Sequence, residues 1–166
     1  MKILYETNRL YARMLNMDDR DAYYIMKSDP RVTSNYGMEP YSRQGSDRKL
    51  QSMIDIEGKE TYSVAVCLKK TDELIGSICL WNLEEKTHKG ELGYEFAYDY
   101  CYQGYGPESV EGFIHYMKDT YGYTIFTGCP SEKNKASNRL LQKLGFTFMH
   151  KFEERDMFLN QYEKTV

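Results

Sequence analysis

The 166-residue sequence lacks several patterns, and each absence excludes a class of protein. No apolar run approaches the roughly 20 residues that a membrane helix needs, so we expect no membrane partner. The chain turns polar too soon after Met1 for a signal peptide, which predicts a soluble, cytoplasmic protein. No stretch concentrates Lys and Arg, and the net charge is −3. Because nucleic-acid binding needs a basic face, we expect no nucleic-acid partner.

Metal-binding patterns are also absent. The four cysteines form no Cys-x-x-Cys pair and have no histidine at ligand spacing, so we expect no metal site. Cys67 and Cys79 fall in strand-like apolar runs, where a buried reduced thiol is usual. Nothing in the sequence pairs with Cys129 to make it a nucleophile, and we interpret it as structural.

The hydrophobic periodicity indicates an α+β fold in one domain, residues 1–166, because no repeat or linker divides the chain. The predicted strands cover residues 10–15, 62–68, 74–81, 91–97, 123–127, 146–148 and 156–159. Four helices are predicted: one capped by Asn16 and ended by Pro30, one carrying Leu50, one carrying Phe113, and one that stops at Gly145. Hairpin-linked strands followed by helical crossovers favour a mixed, mostly antiparallel sheet with helices on both faces.

A glycine-rich turn separates the strand at 91–97 from the helix that follows. It reads Gly104-Tyr105-Gly106-Pro107. Glycines let the main chain approach a ligand, and the free N–H groups of a helix start attract an anion. Gly-x-Gly alone is typical of an ordinary turn, but its place between a strand and a helix favours a pyrophosphate site.

Three segments together resemble the GNAT superfamily of acetyltransferases, in the branch of the ribosomal-protein N-acetyltransferases (RimJ/RimL-like). Residues 101–106 look like the family's Gln/Arg-x-x-Gly-x-Gly/Ala loop, and residues 134–146 are similar to its Asn-x-x-Ser…Lys-x-Gly-Phe segment. Residues 6–13 resemble the Glu-Thr-x-Arg-Leu-x-x-Arg start of that branch. These matches occur in order and span nearly the whole chain.

The resemblance implies a GNAT-type sheet that is splayed between its fourth and fifth strands. It also implies transfer of an acetyl group from acetyl-CoA to an amine, by direct attack in a ternary complex. The acceptor stays open among a protein N-terminus, a polyamine and a small amine metabolite or antibiotic, and a homodimer stays open too. A non-catalytic CoA-binding module on the same fold, or an unrelated α+β binding protein, remains an alternative.

The resemblance further implies how the cofactor is held. Main-chain groups of the strand would pair with the pantetheine arm, loop amides would hold the pyrophosphate, and an Asn would bond the pantetheine region. These residues are Tyr94, Glu95, Phe96, Cys101, Tyr102, Gln103, Gly104, Tyr105, Gly106 and Asn134. Two positions depart from the family: Cys101 replaces Gln or Arg, and Pro107 removes one N–H.

Acyl transfer to an amine needs a neutral amine, a stabilised oxyanion and a proton for the departing thiolate. Leu141 stands where many family members have a proton-donating Tyr, and it cannot donate. Ser137 holds the position that the resembled branch uses instead, so it is the candidate acid, with a merely packed serine as the alternative. Glu91 and Glu95 share one face of a regular strand and are candidate bases. Structural carboxylates with a water chain as base are the alternative.

Several aromatic residues are further candidates. Tyr102 and Tyr105 are reserve proton donors beside the glycine turn. Trp81, Tyr36 and Tyr41 are candidate walls of the amine site, although core packing explains Trp81 equally well.

Overall fold

An eight-stranded sheet runs through the computed structural model, which describes residues 1–166. Its strands are β1 (Ile3–Glu6), β2 (Leu10–Arg13), β3 (Tyr62–Leu68), β4 (Leu74–Glu84), β5 (Lys89–Phe96), β6 (Ile125–Gly128), β7 (Thr147–Glu154) and β8 (Met157–Thr165). The helices are α1 (Arg20–Ser28), α2 (Pro30–Thr33), α3 (Arg43–Asp55), α4 (Tyr105–Tyr121) and α5 (Lys135–Lys143). None of them combines the length and the apolar surface required to cross a bilayer.

The strand order is β1-β2-β3-β4-β5-β6-β8-β7, and only the β5–β6 pair is parallel. That pair ends after three residue pairs, the last of which is Glu91 with Thr127. Residues 92–96 of β5 therefore have no strand beside them on the β6 side, and we name this gap the β5–β6 opening. β5 and β6 are the fourth and fifth strands of the sequence prediction, so the predicted splayed, mostly antiparallel sheet is confirmed.

Helices cover both faces of the sheet, as predicted, because the strand side chains alternate between two hydrophobic clusters. Val64 and Val66 of β3 belong to the larger cluster, to which α4 and α5 contribute Phe113 and Leu141. Ala65, between those two valines, belongs to a second cluster with residues of α1 and α3. The sheet is thus a partition with α4 and α5 on one face and α1 and α3 on the other.

The sequence prediction was wrong about several elements. It missed β1, a four-residue edge strand without a buried side chain, since partial exposure leaves no clear alternation. It treated Pro30 only as a stop, whereas Pro30 is the first residue of α2, where its fixed φ suits a helix start. The last two strands are also longer than predicted, because β7 is almost wholly exposed and so lacks a buried face.

The predicted helix cap at Asn16 belongs to a different element. Asn16 caps a 3-10 turn, Met17–Asp19, by accepting a hydrogen bond from the Asp18 N–H, and α1 begins only after this turn. The Asp19 carboxylate is buried and pairs with Arg13 at 2.6 Å. This pair ties the start of α1 to β2.

Candidate functional site

Main-chain groups of β5 face the β5–β6 opening without a partner strand. The pairing with β4 shows which main-chain groups of β5 point towards that strand: Glu95 lies opposite Ser77, and the Ala97 N–H donates to the Ile75 carbonyl. Because main-chain groups of successive residues point to opposite edges of a strand, those of Tyr94 and Phe96 face the opening. The structure therefore leaves a free strand edge at the two positions where the sequence places the pantetheine arm.

The glycine turn at the start of α4 carries a second set of free donors. Tyr102 and Gly104 both adopt positive φ, +62° and +82°, and Gly104 is the N-cap of the helix. The five N–H groups of residues 102–106 donate to no acceptor in the protein. The Cys101 N–H does not join them, because it donates to the Tyr98 carbonyl at 3.0 Å. Five unpaired amides at the N-terminus of a 17-residue helix suit an anion such as a pyrophosphate.

The turn between β1 and β2 anchors this loop, which the sequence analysis did not foresee. The Glu108 carboxylate accepts hydrogen bonds from Thr7 Oγ1 at 2.6 Å, from the Arg9 main chain at 2.8 Å and from Arg9 Nε at 2.7 Å. Burial alone would raise the pKa of Glu108, but these bonds outweigh it and lower the pKa. Arg9 also donates to the Gln103 carbonyl at 3.0 Å and lies over the Tyr105 ring. The only sequence signal was the Glu-Thr-x-Arg segment itself.

The start of α5 is fixed by two asparagines. Asn134 is the N-cap, and its Oδ1 accepts a hydrogen bond from the Ser137 N–H at 3.1 Å, while its side-chain NH₂ donates to no protein group. Asn138 is buried and uses all four hydrogen-bonding positions of its amide. Its partners are Ser131, Asn134, Asn160 and Tyr162. Ser137 is therefore held rigidly at the edge of the opening.

Two hydroxyl groups meet at this edge. The Tyr94 hydroxyl and Ser137 Oγ are 2.7 Å apart, so the side chain of Tyr94 crosses from β5 to α5. Burial raises the pKa of Tyr94 to about 12, and the bond to Ser137 offsets part of this increase. Leu141 is fully buried and packs on Gly128 in the core, and no hydrogen bond joins Ser137 to Tyr102 or Tyr105.

The two candidate bases share one face of β5, as predicted, because the register of β5 against β4 is regular from Glu91 to Phe96. Glu95 forms an ion pair with Lys27 at 2.6 Å, and both side chains are only about one-eighth exposed, at 12% and 13%. Glu91 has no cation at ion-pair distance and instead accepts a hydrogen bond from Asn82 at 2.9 Å. Burial raises the pKa of Glu91. Only Glu91 is thus free to exchange a proton without breaking an ion pair.

Glu91 lies in a cleft of about 490 Å³ on the face of α1 and α3. The cleft is lined by Asn82, Leu83, Glu84, Lys89, Gly90, Glu91, Thr127, Cys129 and Gln161. Burial, followed by the nearby charge of Glu91, raises the pKa of Cys129 to about 12, so this thiol stays protonated, consistent with a structural role. Trp81 lies opposite Glu91 and is 43% exposed, so core packing does not explain it.

Tyr36 reaches the opening from the other side. Its ring is partly exposed, but its hydroxyl lies at β5 and donates to the Tyr94 carbonyl at 2.7 Å. Burial of this hydroxyl and the charge of Glu95 raise the pKa of Tyr36. Tyr41 instead lies beside the Lys27 ammonium, 5.6 Å from ring centre to nitrogen. Of the two tyrosines, Tyr36 is the one that borders the free edge of β5.

Comparison with known proteins gives one matching family, described as an acetyltransferase (GNAT) domain, over residues 9–147. The uncharacterized N-acetyltransferase YoaA of Bacillus subtilis strain 168 is 30% identical over 85% of this chain and 81% of its own length. A solved Salmonella typhimurium acetyltransferase, which modifies the N-terminal serine of ribosomal protein L7/L12, has a TM-score of 0.88 at 14% identity, covering 99% of both chains. RimL, the ribosomal L7/L12 alpha-N-protein acetyltransferase, in complex with coenzyme A, has a TM-score of 0.86 at 14% identity, covering 99% and 98%.

Proposed function

Because the chain belongs to the GNAT family of acetyltransferases, we propose that it transfers an acetyl group from acetyl-CoA to a primary amine within a ternary complex. One observation carries this proposal. The free edge of β5 and the five unpaired amides before α4 follow one another along the chain, with only residues 97–101 between them. An extended arm that ends in a pyrophosphate has the shape and the hydrogen-bonding groups to satisfy both.

Acetyl-CoA would be held mainly by main-chain groups. Tyr94 and Phe96, on either side of Glu95, would pair with the pantetheine arm, as an added strand does. The amides of residues 102–106 would bind the pyrophosphate, with the Arg9 guanidinium beside them. The free NH₂ of Asn134 would donate to the arm from the opposite side. Such binding requires few particular side chains, which explains why Cys101 is tolerated.

For the chemistry, we propose Glu91 as the base and Ser137 as the acid. Glu91 accepts the proton of the attacking amine, directly or through water, because a raised pKa makes it a better base than an ordinary carboxylate. Ser137 gives its proton to the departing thiolate. Glu95 would have a structural role, through its ion pair with Lys27.

The acceptor amine would enter through the cleft around Glu91, on the face opposite α5. The Salmonella relative modifies a protein N-terminus, which makes an N-terminal peptide one class to test. Polyamines and small amine metabolites or antibiotics are the other two, since the cleft is mostly polar and carries Glu84 and Glu91, while its one cation, Lys89, is paired with Glu163.

An acetylation screen across these three amine classes tests the proposal. Free thiol released from acetyl-CoA is measured with and without each amine, and the acetylated product is identified by mass. We expect amine-dependent thiol release with at least one class, and Lys143→Gln, on the exposed side of α5, to retain it. Binding of acetyl-CoA without thiol release for any amine would favour a non-catalytic CoA-binding module. Absence of binding would contradict the whole proposal.

A further inference from the structure

Leu141 leaves the site without the phenol that many related enzymes use. Its side chain is fully buried against Gly128, so this part of α5 carries core packing instead of a hydroxyl. Ser137 alone would then have to protonate the thiolate. An aliphatic hydroxyl is a much weaker acid than a phenol, whose ordinary pKa is about 10. A serine therefore needs a partner that replaces its proton as it leaves.

Tyr94 has the position of such a partner. Its hydroxyl lies 2.7 Å from Ser137 Oγ, and its ring packs against the cluster formed with α4 and α5. The main chain of the same residue borders the β5–β6 opening, and its carbonyl accepts the Tyr36 hydroxyl. Tyr94 thus bridges the opening on the α5 face, at the level where the free strand edge begins.

We propose that Tyr94 is a positioning and proton-supplying residue that acts through Ser137, and that the two hydroxyls together replace the phenol missing at Leu141. This inference rests on the proposed function. As the amine nitrogen bonds to the acetyl carbon, the carbon–sulfur bond breaks and its electron pair stays on sulfur. The sulfur takes the proton of Ser137 Oγ, Oγ takes the phenol proton of Tyr94, and the phenolate regains a proton from water.

The surroundings of Tyr94 suit this role. Burial is the main influence on its pKa, and Ser137 is the only group that opposes it. No charged side chain hydrogen-bonds to the hydroxyl, and Tyr36, on the other face, bonds to the Tyr94 carbonyl instead. The phenol therefore stays protonated over the physiological pH range and is available as a donor. The bond network of Asn134 and Asn138 keeps Ser137 within its reach.

Tyr94→Phe tests the inference, because it removes one oxygen and keeps the ring. We expect kcat to fall about 10-fold to 100-fold while the Kd for acetyl-CoA changes less than about threefold. The double variant with Ser137→Ala should be no slower than Ser137→Ala alone, since the two hydroxyls act in series. Tyr123→Phe, at a buried tyrosine whose hydroxyl has no hydrogen-bond partner, is the matched control and should retain kcat.

The pH profile of kcat distinguishes a proton-supplying Tyr94 from a Tyr94 with a purely structural role. Replacing Tyr94 with a fluorinated tyrosine, whose phenol is more acidic, should move the alkaline limb of kcat down from near pH 12 into the measurable range when Ser137 is present and not in Ser137→Ala. An active wild type whose Tyr94→Phe variant keeps kcat within about threefold, or whose alkaline limb does not move, overturns this inference alone. A wild type that acetylates no amine overturns the proposed function and this inference with it.

Discussion

Glu91 and Glu95 lie four residues apart on the same face of β5, yet their neighbours differ. Glu95 meets the Lys27 ammonium in a nearly buried ion pair, whereas Glu91 meets an amide and a thiol. The amide comes from Asn82, which adopts a φ of +48° where the register of β4 is interrupted. A local irregularity in the neighbouring strand thus gives Glu91 its partner.

The two carboxylates should respond differently to amide substitution. Glu91→Gln should lower kcat/KM about 100-fold and flatten the acid limb of its pH profile, because the base must be deprotonated. Since burial raises the pKa of Glu91, the wild-type limb should lie above the ordinary range of a glutamate. Glu95→Gln should instead cost on the order of 3 kcal/mol of stability by leaving Lys27 buried and unpaired. Unchanged pH profiles in both variants would indicate deprotonation by water alone.

Glu57 should make stability depend on pH. Burial raises its pKa to about 7, although its carboxylate accepts the Ser63 N–H at 2.6 Å. An unfolded glutamate titrates near 4.3, so between these values the folded state binds more protons and stability falls as pH rises. Glu57→Gln should remove this fall and gain up to about 3 kcal/mol at pH 8 relative to pH 4, at about 1.4 kcal/mol for each unit between the two pKa values. Urea unfolding at both pH values measures the free energy of unfolding. An equal gain in stability at pH 4 and pH 8 would contradict the prediction. Glu60→Gln, at an exposed glutamate, is the control.

The role of a residue could be predicted from the sequence where it depends only on its own chemistry or on its neighbours in the chain. The shared face of Glu91 and Glu95 follows from strand alternation, and Leu141 as a non-donor follows from its chemistry. The Lys27 pair, the Tyr94–Ser137 contact and the Arg9 anchor join residues 43 to 99 positions apart, and no local pattern encodes them.

Among the elements, the start of α4 combines a strained turn with a free helix end. Tyr102 and Gly104 both require the left-handed region, which costs a tyrosine more than a glycine. Arg9 holds this geometry from outside the helix, by its ion pair with Glu108 and its hydrogen bond to the Gln103 carbonyl. A turn that is anchored in this way can keep its amides pointed at an anion before the anion arrives.

Gly104→Asp should abolish most of the stabilisation by acetyl-CoA. At ligand near 100 times Kd, the wild type should gain about 2.7 kcal/mol, roughly 2–4 °C of Tm per kcal/mol. A Cβ at Gly104 would lie 3.3 Å from Arg9 Nη2. The new carboxylate would therefore compete with the phosphate for the Arg9 guanidinium, and it would also repel the phosphate. Tm is measured with and without ligand.

Two controls separate charge from strain in this experiment. Gly104→Asn has the same shape and backbone strain without the charge and should retain more of the shift than the Asp variant. Lys143→Gln should retain all of it. A wild type without a shift in millimolar acetyl-CoA, or an Asp variant with the full shift, would mean that the turn binds no pyrophosphate.

Elements with a buried face were predictable, and elements without one were not. β3 and the first part of β4 form nearly continuous buried runs, because helices cover both of their faces. β7 lies at an edge with nearly all side chains exposed, and β1 is a four-residue edge strand without a fully buried side chain. Their positions depend on hydrogen bonds to a neighbouring strand, which leave little trace in hydrophobicity.

For the molecule as a whole, the sheet consists of a five-stranded part, β1 to β5, and a three-stranded part, β6 to β8. Three residue pairs join them, together with the packing of α4 and α5. The coenzyme would lie where the two parts separate. Binding of the coenzyme should therefore make the main chain more ordered where the two parts of the sheet meet.

Residue-resolved hydrogen exchange should show this with an alternating pattern. The amides of Tyr94 and Phe96 face the opening and should become at least 10-fold more protected when acetyl-CoA binds. Those of Glu95 and Ala97 already bond to β4 and should change little. Uniform protection along residues 94–97, or none, would contradict pairing of the arm with this edge.

The free edge of β5 also bears on aggregation. An unpaired strand edge on a protein surface invites strands of other chains, and natural proteins usually cover it or shorten it. Here the edge lies in the gap between two parts of the sheet, with α5 on one face and Tyr36 on the other. A foreign strand, with side chains on both faces, would meet these walls, whereas a thin chain without side chains on both faces would not. The protein can thus keep main-chain groups ready for a ligand without offering them as a template for fibrils.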